Sequence, residues 1–168
     1  MTRRVLGVVG ALLALAGCGD VSSTCASEAE EQATLDGSHV DEELVYDDAP
    51  PTSGPHNPCW GTWGVHSEPL PDDRWVHNME HGGVVFLYNC PDGCPNAVER
   101  LTALVTDLDE QVILTAYADM TWKFGVVAWG WRQEFTCVDE AAMEAFYDDH
   151  VDRAPESSTS NPSESCLD

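Results

Sequence analysis

Basic residues are scarce in this sequence. Seven Lys and Arg stand against 30 Asp and Glu, giving a formal net charge of −23. So negative a surface repels nucleic acid and anionic lipid headgroups, which excludes both as partners. It attracts cations, although a run of acids is usually a solvated face. Long apolar runs are missing too. The run near the N-terminus, Val5 to Ala16, is shorter than the ~20 residues that span a bilayer. Internal repeats are absent, and the length suits one domain of ordinary size.

What is present begins at the N-terminus. Arg3 and Arg4 precede the apolar run, and Leu15-Ala16-Gly17-Cys18 follows it. A charged start, a short apolar stretch and small residues before a cut describe a secretory signal. Leu-Ala-Gly-Cys resembles the lipobox of bacterial lipoproteins, in which the cysteine thiol is acylated before cleavage. Residues 1–17 are therefore read as a signal peptide and Cys18 as a lipidation site. Acyl chains there hold a protein at a membrane without a transmembrane helix. Gly19, rather than Asp, follows the cysteine. That favours an outer-membrane or cell-surface destination over inner-membrane retention.

Six further cysteines remain: Cys25, Cys59, Cys90, Cys94, Cys137 and Cys166. Outside the cytoplasm an even count reads as a disulfide framework. Cys90 and Cys94 flank the turn Pro91-Asp92-Gly93 and are expected to pair. A long-range bridge from Cys59 to Cys137 or Cys166 is the other expectation. Residues 18–36 lack apolar periodicity and read as a lipidated, flexible acidic spacer, and residues 157–168 as a Ser/Glu-rich tail. The domain is placed between them, at 37–156.

Within it, Gly37 to Asn78 is dense in Pro, Gly and Trp and is expected to be irregular. The second half has regular patterns. Gly83–Asn89 reads as a buried strand, and Asn96–Leu108 as a helix with Val98, Leu101, Leu104, Val105 and Leu108 at helical spacing. Val112–Tyr117 and Phe124–Trp131 read as two more strands, and Val138–His150 as a closing helix. The fold class is α+β: a small sheet of three or more strands with two helices against it.

Several segments look like the successive signatures of the domain of unknown function 3105 family. They are Gly37-Ser38-His39-Val40, Tyr46, Pro50-Pro51-Thr52-Ser53-Gly54-Pro55-His56, Trp60, Gly64 and Val76-His77-Asn78-Met79-Glu80-His81-Gly82-Gly83-Val84. Ala128-Trp129-Gly130 and Ala154-Pro155-Glu156 match its C-terminal half. The resemblance implies a secreted, lipid-anchored or membrane-tethered bacterial protein, and no activity. Relatives often carry Tyr at the position of His66, so His66 is a poor choice for a site.

His39, His56, His77 and His81 fall inside those motifs. Several imidazoles with one carboxylate suit Zn or Cu, and Glu80 supplies the carboxylate. Met79 offers a soft thioether. His77 and His81 can share an ion only if they lie on a helical turn; in a strand they are ~13 Å apart. Gly82-Gly83 directly afterwards can end such a turn. The alternative is that the histidines hydrogen-bond to backbone and merely organise a loop-rich half.

Two further motifs bear on chemistry. His77-Asn78-Met79-Glu80-His81 fits the H-x-x-E-H pattern of inverted zinc proteases. Those place it in a long helix, whereas a glycine pair and a strand follow here, so a peptidase is set aside and the pattern names no reaction. Cys90-Pro91-Asp92-Gly93-Cys94-Pro95 lies between a strand and a helix. It is similar to the copper-site loop of Sco-type copper chaperones, which have a thioredoxin-like fold. Thiolates at a helix N-terminus bind Cu(I) or exchange disulfides, and a structural disulfide is the competing reading.

Overall fold

A computed structural model describes residues 25–42, 44–108 and 110–157. The segment read as a signal peptide, Cys18, the tail beyond residue 157 and Cys166 lie outside the described residues. The described elements are β1 (Glu30–Glu31), β2 (Gly64–Val65), α1 (Asp72–Glu80), β3 (Val84–Tyr88) and α2 (Pro95–Asp107). They continue with β4 (Val112–Ala116), β5 (Phe124–Ala128), β6 (Trp131–Phe135) and α3 (Glu140–His150).

The strands form one mixed sheet in the order β1-β6-β5-β3-β4-β2. β3 lies at its centre, parallel to β4 and antiparallel to β5. Alternation along these strands divides the core in two. Val84, Phe86, Val112, Leu114, Phe124 and Val126 pack on one face with Leu101 and Leu104 of α2 and with Met143 and Phe146 of α3. Val85, Leu87, Ile113 and Val127 pack on the other face with Trp75, Val76 and Met79 of α1. Each such large apolar side chain contributes about 1.5–3 kcal/mol when fully buried. The α+β class stands, with six strands and three helices among the described residues. None of those helices is long and apolar enough to cross a membrane.

Four expectations need correction. The half from Gly37 to Asn78 is not wholly irregular, because α1 begins inside it. Asp72 and Asp73 in its first turn suit the positive end of the helix dipole. The apolar stretch Phe124–Trp131 is two strands, folded back at Gly130, whose φ of 73° is open to glycine. The segment read as a spacer is partly sheet: Glu30–Glu31 pair with β6, and Ala26 bridges to Phe135. Cys137 bonds Cys25, not Cys59, and so ties the start of the described chain to the approach of α3. Cys59 is itself disulfide-bonded. The expected Cys90–Cys94 bridge is present.

Candidate metal centre

The site is built at the amino end of β3, where α1 stops. His81 caps the helix, and Gly82, at φ 89°, turns the chain into the left-handed region that glycine adopts freely. The Gly82 N–H donates to the Met79 carbonyl, and the Gly83 N–H donates to the Asn78 carbonyl. This double bond pattern ends the helix within one residue. His77 and His81 thus sit one turn apart on the last turn of α1, as shared use of an ion requires.

The irregular half brings the other rings to them. His39 and His56 form a parallel backbone bridge, with Val40 N–H donating to His56 O and His56 N–H donating to Ser38 O. The rings of His39, His56 and His77 lie 4.5–5.0 Å apart between centroids. Asn78 fastens the Trp60–Gly61 loop to α1, accepting from Gly61 N–H at 2.7 Å and donating to Gly61 O at 2.9 Å. Trp60 then stacks on His77 and lies 4.3 Å from His81 between centroids. Trp129 meets His56 edge-on from the other side.

The hydrogen bonds of the rings determine their tautomers. Nδ1 of His56 faces Gly54 O at 2.9 Å, Nδ1 of His77 faces Asn57 O at 2.7 Å, and Nδ1 of His81 faces Glu156 O at 3.0 Å. A carbonyl only accepts, so each Nδ1 carries the hydrogen. In the neutral ring each Nε2 is then a lone pair, and these lone pairs point together. His56 Nε2 comes within 3.1 Å of Glu80 Oε2, but off any hydrogen-bond direction, so it is a buried nitrogen without a hydrogen-bond partner. His77 Nε2 and His81 Nε2 are 3.1 Å apart.

Burial disfavours the charged forms of His56, His77 and Glu80. It lowers His56 below the usual imidazole range, with the neighbouring His39 and His81 adding to the effect against the bond to Gly54. It lowers His77 to about 4, in the same direction as the charges of His56, His81 and His39. Glu80 is raised to about 7 by burial first and then by Glu156 and Asp36.

One donor atom from each of His39, His56, His77 and Glu80 lies within 4.8 Å of the others, a group able to hold a metal ion. His39 is exposed and the other three are buried. His81 stands beside this set, against His77. Met79 does not join it: fully buried, it packs into the opposite core with Trp75 and Val85. His66 faces its own loop at Thr62 O.

Other parts of the site have no side-chain signature. The carbonyls of Gly54, Asn57 and Glu156 orient the rings, and any residue type supplies a carbonyl. Gly37 had a signal, as a motif glycine two residues before His39. A Cβ there would run into Glu80 Oε1, so only a hydrogen side chain leaves the carboxylate its place.

Neither the curated proteins nor the solved structures contain a match to this chain. The family model described as protein of unknown function (DUF3105) matches residues 39–163, most of the chain and every residue of the cluster, and the chain belongs to that family.

Proposed function

We propose that this protein is an extracytoplasmic, membrane-anchored lipoprotein. On this reading it binds one transition-metal ion, Cu or Zn, through His39, His56, His77 and Glu80, with His81 as an adjoining ligand. The observation that carries the reading is the orientation of the rings. Three Nδ1 atoms are committed to main-chain carbonyls, so the Nε2 lone pairs converge beside a buried carboxylate. Such a set is mutually repulsive unless protons or a cation lie among its members. Metal-bound histidines characteristically donate their other nitrogen to a carbonyl or carboxylate in this way.

Spacing supports the reading as well. Ligands 2.0–2.1 Å from a tetrahedral ion stand about 3.3 Å from one another. The His56–Glu80 and His77–His81 separations are both 3.1 Å. A strongly negative surface draws cations toward the site. Cys90 and Cys94 stand at the other end of β3 and take no part.

The lipid anchor at Cys18 supplies the membrane attachment in this proposal, and no nucleic acid is a partner. The test is metal analysis of the untagged full-length chain. Near-stoichiometric Cu or Zn, lost on His56→Ala, is the expected result. A protein that binds neither ion tightly would leave only histidines that organise loops. Cys18→Ser is expected to release the protein from the membrane fraction, and continued membrane association would refute the anchor.

A further inference from the structure

The second concentration of reactive side chains lies at the carboxyl end of β3. There Cys90 and Cys94 close a five-residue ring between the central strand and α2. Pro91, Asp92 and Gly93 are exposed, and a Cβ added at Gly93 meets nothing within 4 Å. The turn of the ring therefore faces open solvent, while Cys90 and Cys94 are half-buried at the edge of the core. Cys94 is the N-cap residue of α2, and no side chain hydrogen-bonds there. Asp, Ser or Thr normally fills that role with an oxygen aimed at the first free N–H groups. The first turn has no acidic residue and Pro95 stands at its start, so the positive end of the helix dipole has no counter-charge of its own.

We propose that Cys90–Cys94 is a redox-active disulfide that exchanges with the dithiol of a partner protein. The physical reason is the empty cap. While the bond is intact, the Cys94 sulfur is held by Cys90; once released as a thiolate, it is the anion that the end of α2 lacks. Helix N-termini lower cysteine pKa values for this reason, and a stabilised thiolate leaves faster.

The exchange balances as follows. A thiolate of the partner attacks the Cys90 sulfur, the Cys90–Cys94 bond breaks, and Cys94 departs as thiolate while a mixed disulfide forms. The partner's second thiolate attacks its own sulfur in that mixed disulfide and releases Cys90. Two electrons pass to the cysteine pair, the partner leaves as a disulfide, and its two protons go to the new thiols or to solvent.

The fold tolerates the reduced state. β3 is held by β4 and β5 on its two sides, and α2 by Leu101, Leu104 and Val105 in the core. The Cys25–Cys137 bond has a different place, spanning 112 residues of sequence and pinning the edge segment to the approach of α3. Chain-entropy reasoning gives a short ring far less effect on the unfolded state than a long one.

The test equilibrates the full-length protein with graded dithiothreitol buffers, then alkylates the free thiols and maps them by mass spectrometry. The Cys90–Cys94 bond is expected to open at a reductant ratio about 100-fold lower than Cys25–Cys137 requires. The near-ultraviolet circular dichroism is expected to stay native. At neutral pH the freed Cys94 should alkylate faster than the same cysteine in unfolded chain. The proposal is overturned if both bonds open together, if Cys90–Cys94 opens last, or if its reduction melts the tertiary signal. The double variant Cys90→Ser/Cys94→Ser should keep the metal stoichiometry of the native protein, because the histidine cluster is separate.

Discussion

The two ends of β3 solve different problems. At its amino end, rings from residues 39, 56, 77 and 81 are gathered from three stretches of chain, and a fourth stretch supplies the carbonyl of Glu156. There three Nδ1 atoms are committed to main-chain carbonyls, and His56, His77 and Glu80 are buried. At its carboxyl end, about 13 Å further along the strand, two cysteines four residues apart close a ring with open space above it. The first site needs the whole fold to exist, and the second needs only a strand, a turn and the start of a helix. Buried, long-range construction suits holding an ion; exposed, local construction suits exchange with a partner.

Removing a ligand has the largest expected effect. His77→Ala deletes a converging nitrogen and its bond to Asn57, and metal affinity is expected to fall more than about 100-fold, read by competition with a chelator. The same substitution should leave the reductant sensitivity of Cys90–Cys94 unchanged. Loss of both properties together would show that the two ends are coupled.

Gly37→Ala acts on the same end of β3 without replacing a ligand. The new methyl group displaces the Glu80 carboxylate, and overpacking of this kind costs about 1–3 kcal/mol. Metal affinity is expected to fall about 10-fold or more, as it does when a supporting group is disturbed. A variant with native affinity would remove Glu80 from the ligand set.

Acidity distinguishes the ends as well. In the metal-free protein the raised pKa of Glu80, about 7 against 4.5 unfolded, favours the fold below 4.5, and that contribution is lost as pH rises through 7. The lowered value of His77, about 4 against 6.5, acts oppositely, so its contribution grows as pH rises from 4 to 6.5. Above 6.5 the Glu80 effect stands alone and stability should decline. A bound cation relieves the charge, so the metal-induced rise in Tm is expected to grow through pH 7 and to vanish near pH 4. Thermal melts with and without metal measure this, and a pH-independent rise would contradict the assignment of Glu80.

Two smaller effects complete the series. Asn78→Ala removes both bonds to Gly61 and should cost about 1–3 kcal/mol, lowering Tm by several degrees. Cys90→Ser/Cys94→Ser should cost about 2 kcal/mol, against about 5 kcal/mol for Cys25→Ser/Cys137→Ser, as denaturant midpoints would show. Equal losses would make the short ring a structural bond like the long one.

The sequence made some of this legible, and the reasons differ by element. α2 and α3 were readable because each shows a regular apolar face, and β3 and β4 because each is a short continuous apolar run buried on both faces. α1 was hidden because Trp75 to Glu80 is buried all round, so His77, Asn78 and Glu80 break the apolar period that marks a helix. Their polarity is satisfied by loops distant in sequence, which no local pattern reveals. β6 was masked by Arg132-Gln133-Glu134, polar residues on a half-buried strand.

The four histidines and Glu80 stood out through their motifs, and the glycine pair correctly signalled the end of a turn. Convergence was not legible, since it depends on main-chain carbonyls and on Gly37, whose contribution is the absence of a side chain. Met79 offered a soft thioether within the same motif. Helical geometry instead turns it toward Trp75 and the sheet.

The central claim is that these side chains surround one ion. X-ray absorption at the metal edge of the Cu- or Zn-loaded full-length protein tests it most directly. Nitrogen and oxygen neighbours with the multiple-scattering signature of at least three imidazoles are expected. A shell containing sulfur, or one without imidazole scattering, would contradict it.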